Sequence, residues 1–181
     1  MSALIVYESM YGNSRAIAEA IAAGIGDAEV HAVSRVPHDF HRHELLVVGG
    51  PTHAHGMTTE RSRQAAAEAD RAHLEPGATD GPGLRQWIAE IPRSCAGSAA
   101  VFDTRADHAA WLTGSAAHAI ARRLRHRGYD VIAAESFLVS GNAGPLAGGE
   151  LERARAWGEG LTRHAAGASG DRAPAGQEIA T

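Results

Sequence analysis

Six residues, Ser-Met-Tyr-Gly-Asn-Ser at positions 9–14, lie between an apolar run at 3–7 and a segment with helical periodicity. Gly12 allows the backbone to turn tightly at this point. The neutral hydrogen-bond donors of the segment are Ser9, Asn13 and Ser14. Its main-chain N–H groups would converge at the start of the helix, where the helix dipole favours an anion. The segment therefore predicts a phosphate site built from dipoles and neutral donors.

Other phosphate-binding and phosphate-accepting motifs do not fit this chain. It has no G-x-G-x-x-G dinucleotide loop and no G-K-[ST] of a P-loop. All 17 basic residues are arginine, which excludes mechanisms that need a lysine amine. A response regulator would need a carboxylate at the end of the third strand, where this chain has Gly49 and Gly50. A simple Asn/Ser helix cap without a ligand is the remaining alternative.

The elements that must position the segment alternate between strand and helix patterns. Apolar and β-branched runs predict five strands, at 3–7, 28–33, 44–50, 98–103 and 129–139. Helical patterns are predicted at 13–24, 58–74, 84–91, 114–128 and 148–165. The link between the second and third strands has room only for a short or irregular helix.

This alternation predicts an α/β fold, a doubly wound five-stranded parallel sheet with right-handed crossovers and helices on both faces. Ligands of such sheets bind at the carboxyl ends of the strands, at the point where the strand order reverses. The loops after the first, third and fourth strands are therefore the places where chemistry is expected.

Length and composition set further expectations. The 181 residues predict one domain at 1–165, followed by a tail at 166–181 that is rich in small and polar residues and is expected to be disordered. No apolar run approaches the roughly 18 residues of a membrane span, and no signal-peptide pattern follows Met1, so we expect a cytoplasmic protein. The net charge of −4 argues against nucleic-acid binding through a broad basic surface. A lone Cys95 excludes an internal disulfide.

The stretch LIVYESMYGNSRAIAEAI at 4–21 closely resembles the flavodoxin signature, whose phosphate loop has the form S/T-x-T-G-N-T/S. The stretch FLVSGNAGPLAGGELERARAWGEGL at 137–161 resembles a flavodoxin type of high-GC bacteria. The resemblance implies a flavodoxin-like strand order of 2-1-3-4-5 and FMN as the cofactor. It implies that the FMN phosphate is held by Ser9, Met10, Tyr11, Gly12, Asn13 and Ser14. A tyrosine replaces the usual threonine of this loop, as in flavodoxin-like NAD(P)H:quinone oxidoreductases.

The segment after the third strand is similar in place and character to the second flavin-contacting loop of the family. Pro51 and Thr52 are expected to begin a rigid turn, and Gly56 to let a peptide near flavin N5 approach or flip. The loop lacks a stacking aromatic and has only His53 and His55. These imidazoles can stack on the flavin or deliver a proton to it, or they can be solvated loop residues. We expect no metal site here, because no carboxylate or cysteine stands in a recognised spacing.

The segment after the fourth strand corresponds to the third flavin loop. The resemblance implies that Asp103, Thr104 and Arg105 contact the isoalloxazine edge, where Arg105 would offset negative charge on a reduced flavin. The first aromatic residue of this loop is Trp111, which either covers the ring or anchors the next helix. Trp87 lies among apolar residues at helical spacing and is predicted to belong to the core.

The resemblance implies redox chemistry through bound FMN, with a redox partner protein or a small-molecule electron donor or acceptor. Two functions stay open: an electron carrier, and a small NAD(P)H- or quinone-dependent reductase. The weak net charge and the missing loop aromatic favour the reductase, whereas the lack of a recognisable nicotinamide-binding motif speaks against it. A flavodoxin-fold interaction module without flavin is the non-enzymatic alternative.

Overall fold

A parallel sheet forms the centre of the computed structural model, which describes residues 2–53, 56–93, 97–106, 114–141 and 144–170, with side chains up to residue 163. Its strands are β1 (Ala3–Tyr7), β2 (Ala28–Ala32), β3 (Leu45–His53), β5 (Gly97–Ala106) and β6 (Tyr129–Val139), in the order β2-β1-β3-β5-β6. A sixth strand, β4 (Gly56–Met57), pairs with β3. The predicted doubly wound parallel sheet and its order are confirmed once β4 is left out of the count.

The predicted number of five strands is wrong, because β3 continues beyond the glycine pair. It runs through Pro51 and Thr52 to His53 and then folds back, so that Thr52 lies opposite Met57 and His53 opposite Gly56. Pro51 and Thr52 therefore lie within a strand, where a rigid turn was expected. Proline is tolerated there because Pro51 stands near the end of its pairing with β5.

In the described part of the chain, five helices surround the sheet. They are α1 (Asn13–Ile25), α2 (Glu60–Ala69), α3 (Leu84–Glu90), α4 (Ala116–Arg125) and α5 (Glu150–Gly170). The helix expected at 58–74 is shorter, because Thr59 and Ser62 form a capping box at its start and it ends before Asp70. Between β2 and β3 the chain forms only two short 3-10 turns, as the short link predicts.

Two hydrophobic clusters lie on opposite faces of the sheet, because neighbouring residues of a strand point to opposite sides. Leu4 and Val6 pack with α3 and α4, whereas Ala3 and Ile5 pack with α1 and α5. Trp87 is buried in the first cluster, which confirms its prediction as a core residue.

Within the described residues, we find no helix with the length and apolar character that crossing a bilayer requires. The last helix extends to Gly170, and residues 171–181 lie outside the described part, so the division into a domain at 1–165 and a tail stays a prediction.

Candidate functional site

A cavity of about 470 Å³ opens at the carboxyl ends of β1, β3 and β5, a size typical of small-molecule sites. The predicted site residues that line it are Ser9, Met10, Tyr11, Asn13, Ser14, Pro51, Thr52, His53, Thr104 and Arg105. The lining residues that the sequence did not indicate are Ser62, Ala65, Ala66, Ala69, Ala106, Val139 and Gly141. Parallel strands bring these distant segments together, since their carboxyl ends meet at one edge.

The loop at 9–14 forms one end of the cavity. Gly12 has φ of 86°, in the left-handed region that glycine adopts without a Cβ penalty. Its amide donates to Oγ of Ser9 at 3.0 Å, and its carbonyl accepts the first helical hydrogen bond, from the amide of Ala16 at 2.9 Å. The loop thus turns directly into α1, as the sequence predicts.

The start of α1 carries no side-chain cap from the described residues. The first N–H groups of a helix have no partner within the helix, and the helix dipole adds partial positive charge there. This terminus borders the cavity through Asn13 and Ser14. It therefore offers main-chain donors to an anionic ligand, in agreement with a phosphate site.

Hydroxyl groups extend this donor set. Oγ of Ser14 lies 2.7 Å from Oγ1 of Thr104, and both side chains are buried. Each hydroxyl has one proton, and only one of the two is used between them. The other can be donated to a ligand oxygen, as can the hydroxyl proton of Ser9, whose Oγ acts as an acceptor within the loop. This end of the cavity therefore fits the phosphate of a nucleotide without a charged side chain.

The segment after β6 packs against the same loop. A Cβ on Gly144 would lie 2.5 Å from Nδ2 of Asn13, and Gly144 has φ of 107°. Only glycine therefore fits here without displacing the Asn13 amide. Gly144 lies in the stretch at 137–161 that resembles the family, and the only signal of a role there is the Gly-Pro pair.

Asp103 takes a different place from the one expected. It is fully buried, and its Oδ2 accepts hydrogen bonds from Oγ1 of Thr52 at 3.0 Å, Oγ of Ser115 at 2.7 Å and the amide of Ala117 at 2.9 Å. Asp103 thus holds the start of α4 against β3 and does not line the cavity. Thr52 is fixed by the same network, since its Oγ1 also accepts from the amide of Ala116 at 2.9 Å.

Glu8 is a functional candidate that the sequence analysis missed. Its carboxylate is buried and accepts hydrogen bonds from Oγ1 of Thr58 and from the amide of Leu84, the latter at 2.8 Å. It thereby joins the segments that follow β1 and β4 to the start of α3. The available signal was a charged residue directly after a buried strand. A carboxylate at such a place is rarely buried unless other groups hydrogen-bond to it.

His53 lines the cavity beside Thr52. Burial lowers the pKa of its imidazole below the ordinary value of 6.5, and the negative charge of Glu8 opposes this shift. The ring is therefore neutral at neutral pH and has one nitrogen that donates and one that accepts. It can exchange a proton with a ligand in the cavity.

One wall of the cavity is a face of α2 made of small side chains. Its residues, spaced three and four apart, are Ser62, Ala65, Ala66 and Ala69. The hydroxyl of Tyr11 donates to the carbonyl oxygen of Ala66 at 2.9 Å, which ties α2 to the loop at 9–14. Burial, together with the charge of Asp70, raises the pKa of Tyr11, so this hydroxyl stays protonated. The sequence predicted a helix here; the signal for the face that lines the cavity was the spacing of its small residues.

His55, Gly56 and Trp111 are the remaining predicted site residues. His55 and Trp111 lie outside the described residues. Gly56 lies in β4 opposite His53, and the cavity lining among the described residues does not include it.

Comparisons with known proteins identify the family. The flavodoxin family model matches residues 5–100. A flavodoxin from the domain Archaea is 20% identical with a TM-score of 0.59, over 92% of this chain and 99% of that one. Flavodoxin 2 from Bacillus cereus is 16% identical with a TM-score of 0.60, over 91% of this chain and 99% of that one.

A third structure is that of Fusobacterium nucleatum flavodoxin bound to flavin mononucleotide. It is 12% identical with a TM-score of 0.55, over 91% of this chain and 99% of that one. No curated protein sequence matches the chain significantly. The structural likenesses concern the fold, whereas the sequence model spans β1 to the first part of β5. The chain belongs to the flavodoxin family.

Proposed function

We propose that this chain binds FMN in the cavity at the strand ends and transfers electrons through it. The observation that carries the proposal is the start of α1, which has no side-chain cap from the described residues and stands beside the hydroxyls of Ser9, Ser14 and Thr104. Family membership and the FMN-bound relative support the same cofactor.

The two ends of the cavity would serve different parts of the cofactor. Ser9, Gly12, Asn13 and Ser14, with the main chain of Met10 and Tyr11, would hold the phosphate. Pro51, Thr52, His53, Thr104 and Arg105 would surround the ring system. When bound, FMN supplies reversible uptake of electrons, which no amino-acid side chain offers. His53 can hold or release the proton that accompanies a change of charge, since its ring is half-buried and neutral.

Titration of the purified chain with FMN tests the cofactor. We expect the fluorescence of free flavin to be quenched with one-to-one stoichiometry, and the Ser14→Ala variant to bind more weakly. An Arg155→Ala variant, changed on the exposed side of α5, serves as the matched control. No quenching by the parent chain would favour the interaction module without flavin.

The electron partner is either a redox protein or a small molecule. A net charge of −4 gives only weak long-range steering toward a basic protein. The small side chains of α2 favour the second candidate function, a reductase of small molecules. They present Ala65, Ala66 and Ala69 where a bulky side chain would fill the cavity.

Steady-state assays separate the carrier from the reductase. The FMN-loaded chain is mixed with NADH or NADPH, with and without a quinone. Rapid oxidation of the nicotinamide that depends on the quinone would indicate a reductase, and the Ala65→Leu variant should then slow it. No oxidation of the nicotinamide, together with reversible reduction of the bound flavin by dithionite, would indicate a carrier.

A further inference from the structure

Arginines cluster in a second cavity that the flavin proposal does not use. This cavity has a volume of about 340 Å³ and lies where α3, α4 and the start of α2 meet. Arg63, Arg85 and Arg123 line it, and Glu60 is the one carboxylate among its described lining residues. The cavity thus has an excess of positive charge.

Arg123 has no compensating group among the described residues. Its Nε is buried without a hydrogen-bond acceptor among these residues. Burial, with the positive charges of Arg85 and Arg122, lowers the pKa of Arg123. A half-buried guanidinium under such repulsion costs free energy unless an anion lies close to it.

Arg85 is fixed in place beside it. Its Nη2 donates to the carbonyl oxygen of Met57 at 3.0 Å, and its Nε donates to that of Thr58 at 3.2 Å. These two contacts leave other N–H groups of this guanidinium for a ligand, since arginine has five. Planar guanidinium groups match the geometry of phosphate and carboxylate.

We propose that the cavity between Arg85 and Arg123 binds the oxyanion group, a phosphate or a carboxylate, of a small molecule. A small ligand fits better than an acidic protein surface, because Arg123 is recessed while the exposed Arg122 stands outside the cavity lining. The site adjoins the hairpin of β3 and β4, since Arg85 holds Met57, which is paired with Thr52 of the flavin cavity.

Thermal unfolding of the FMN-loaded chain tests this site, with one equivalent of FMN bound so that the loop at 9–14 is occupied and no free flavin phosphate competes. We expect inorganic phosphate or malonate to raise the melting temperature in a saturable way, and sodium chloride of equal ionic strength not to do so. A response to phosphate alone would assign the phosphate form, and a response to malonate alone the carboxylate form. Equal effects of all three salts would overturn the proposal.

Variants locate the effect. Arg123→Gln should weaken the binding of the active anion by about tenfold or more, because a charge-assisted hydrogen bond is lost. Arg122→Gln removes the same charge from the same helix outside the cavity and should keep most of the affinity. Unchanged affinity in Arg123→Gln would contradict the assignment.

A second pair keeps the test valid where Arg123→Gln does not fold. Ala89 is exposed and lines the cavity, so Ala89→Glu would supply an internal carboxylate. We expect Ala89→Glu to raise the melting temperature without added anion and to abolish the anion response, whereas Ala89→Gln should do neither. Identical behaviour of the two variants would refute the site. Because this pair needs no flavin, its result is independent of whether the chain binds FMN.

Discussion

The two ends of the cavity proposed to bind the flavin are built in different ways. The proposed phosphate end consists of the consecutive residues 9–14, completed by Thr104 and supported by Gly144. The redox end draws its residues from β3, β5 and α2, and depends on the buried carboxylates of Glu8 and Asp103. A local loop can bind a ligand with its own backbone, whereas a composite wall needs a network to hold its parts together.

The largest expected effect comes from breaking that network. Asp103→Ala removes the acceptor of three hydrogen bonds and leaves buried donors unsatisfied. We expect a loss of about 3 kcal/mol or more in the free energy of unfolding, measured by chemical denaturation. Asp130→Ala, at an exposed position of β6, should change it by less than about 0.5 kcal/mol. Similar losses in both variants would mean that the Asp103 network has no special role.

Substitutions at the phosphate end should lower the affinity for FMN more than they lower the stability of the fold. Ser14→Ala or Thr104→Val removes one hydroxyl of the pair, so each should weaken FMN binding by about tenfold, read from fluorescence quenching. The double variant should cost less than the product of the two single effects, because the hydroxyls act as one donor unit. Strictly independent effects would show that they do not.

Tyr11 connects the loop at 9–14 to α2, so removal of its hydroxyl should have a smaller effect that is confined to α2. Tyr11→Phe removes the hydrogen bond to Ala66 and should lower the local stability of α2 by about 1 kcal/mol. Hydrogen exchange of the α2 amides is the measurement. Tyr7→Phe is the control, since no described residue accepts a hydrogen bond from the Tyr7 hydroxyl. Equal exchange in α2 for both variants would contradict the link.

The smallest expected effect is the pH dependence at His53. Burial lowers the pKa of His53 in the folded chain. As the pH falls below 6.5, the unfolded chain therefore binds more protons at this residue than the folded chain does. As far as it depends on His53, the free energy of unfolding is therefore highest above pH 6.5 and falls as the pH decreases toward the lowered pKa. His53→Gln should remove this part of the decrease in denaturation curves taken between pH 7.5 and 5. A parallel pH dependence in both proteins would show that His53 does not titrate as described.

Most of the fold follows from the sequence, because the parallel strands are rich in apolar residues and each helix has its own periodicity. The exception is β3, where the glycine pair suggested an end. Gly49 instead makes room for Phe102, whose ring would lie 2.2 Å from a Cβ at this position, and the strand continues. That contact joins residues more than fifty positions apart, so no local sequence pattern predicts it.

The shape of the loop at 9–14, the proposed phosphate site, is the part of the cavity that the sequence determined by itself. A left-handed Gly12, neighbouring hydroxyls and the start of α1 all follow from consecutive residues, whose geometry local backbone rules dictate. Only the tertiary structure decided that Asp103 caps α4, that Glu8 is buried and that α2 turns small side chains toward the cavity. Those roles depend on which distant segments meet at the strand ends, and packing of the whole chain sets this.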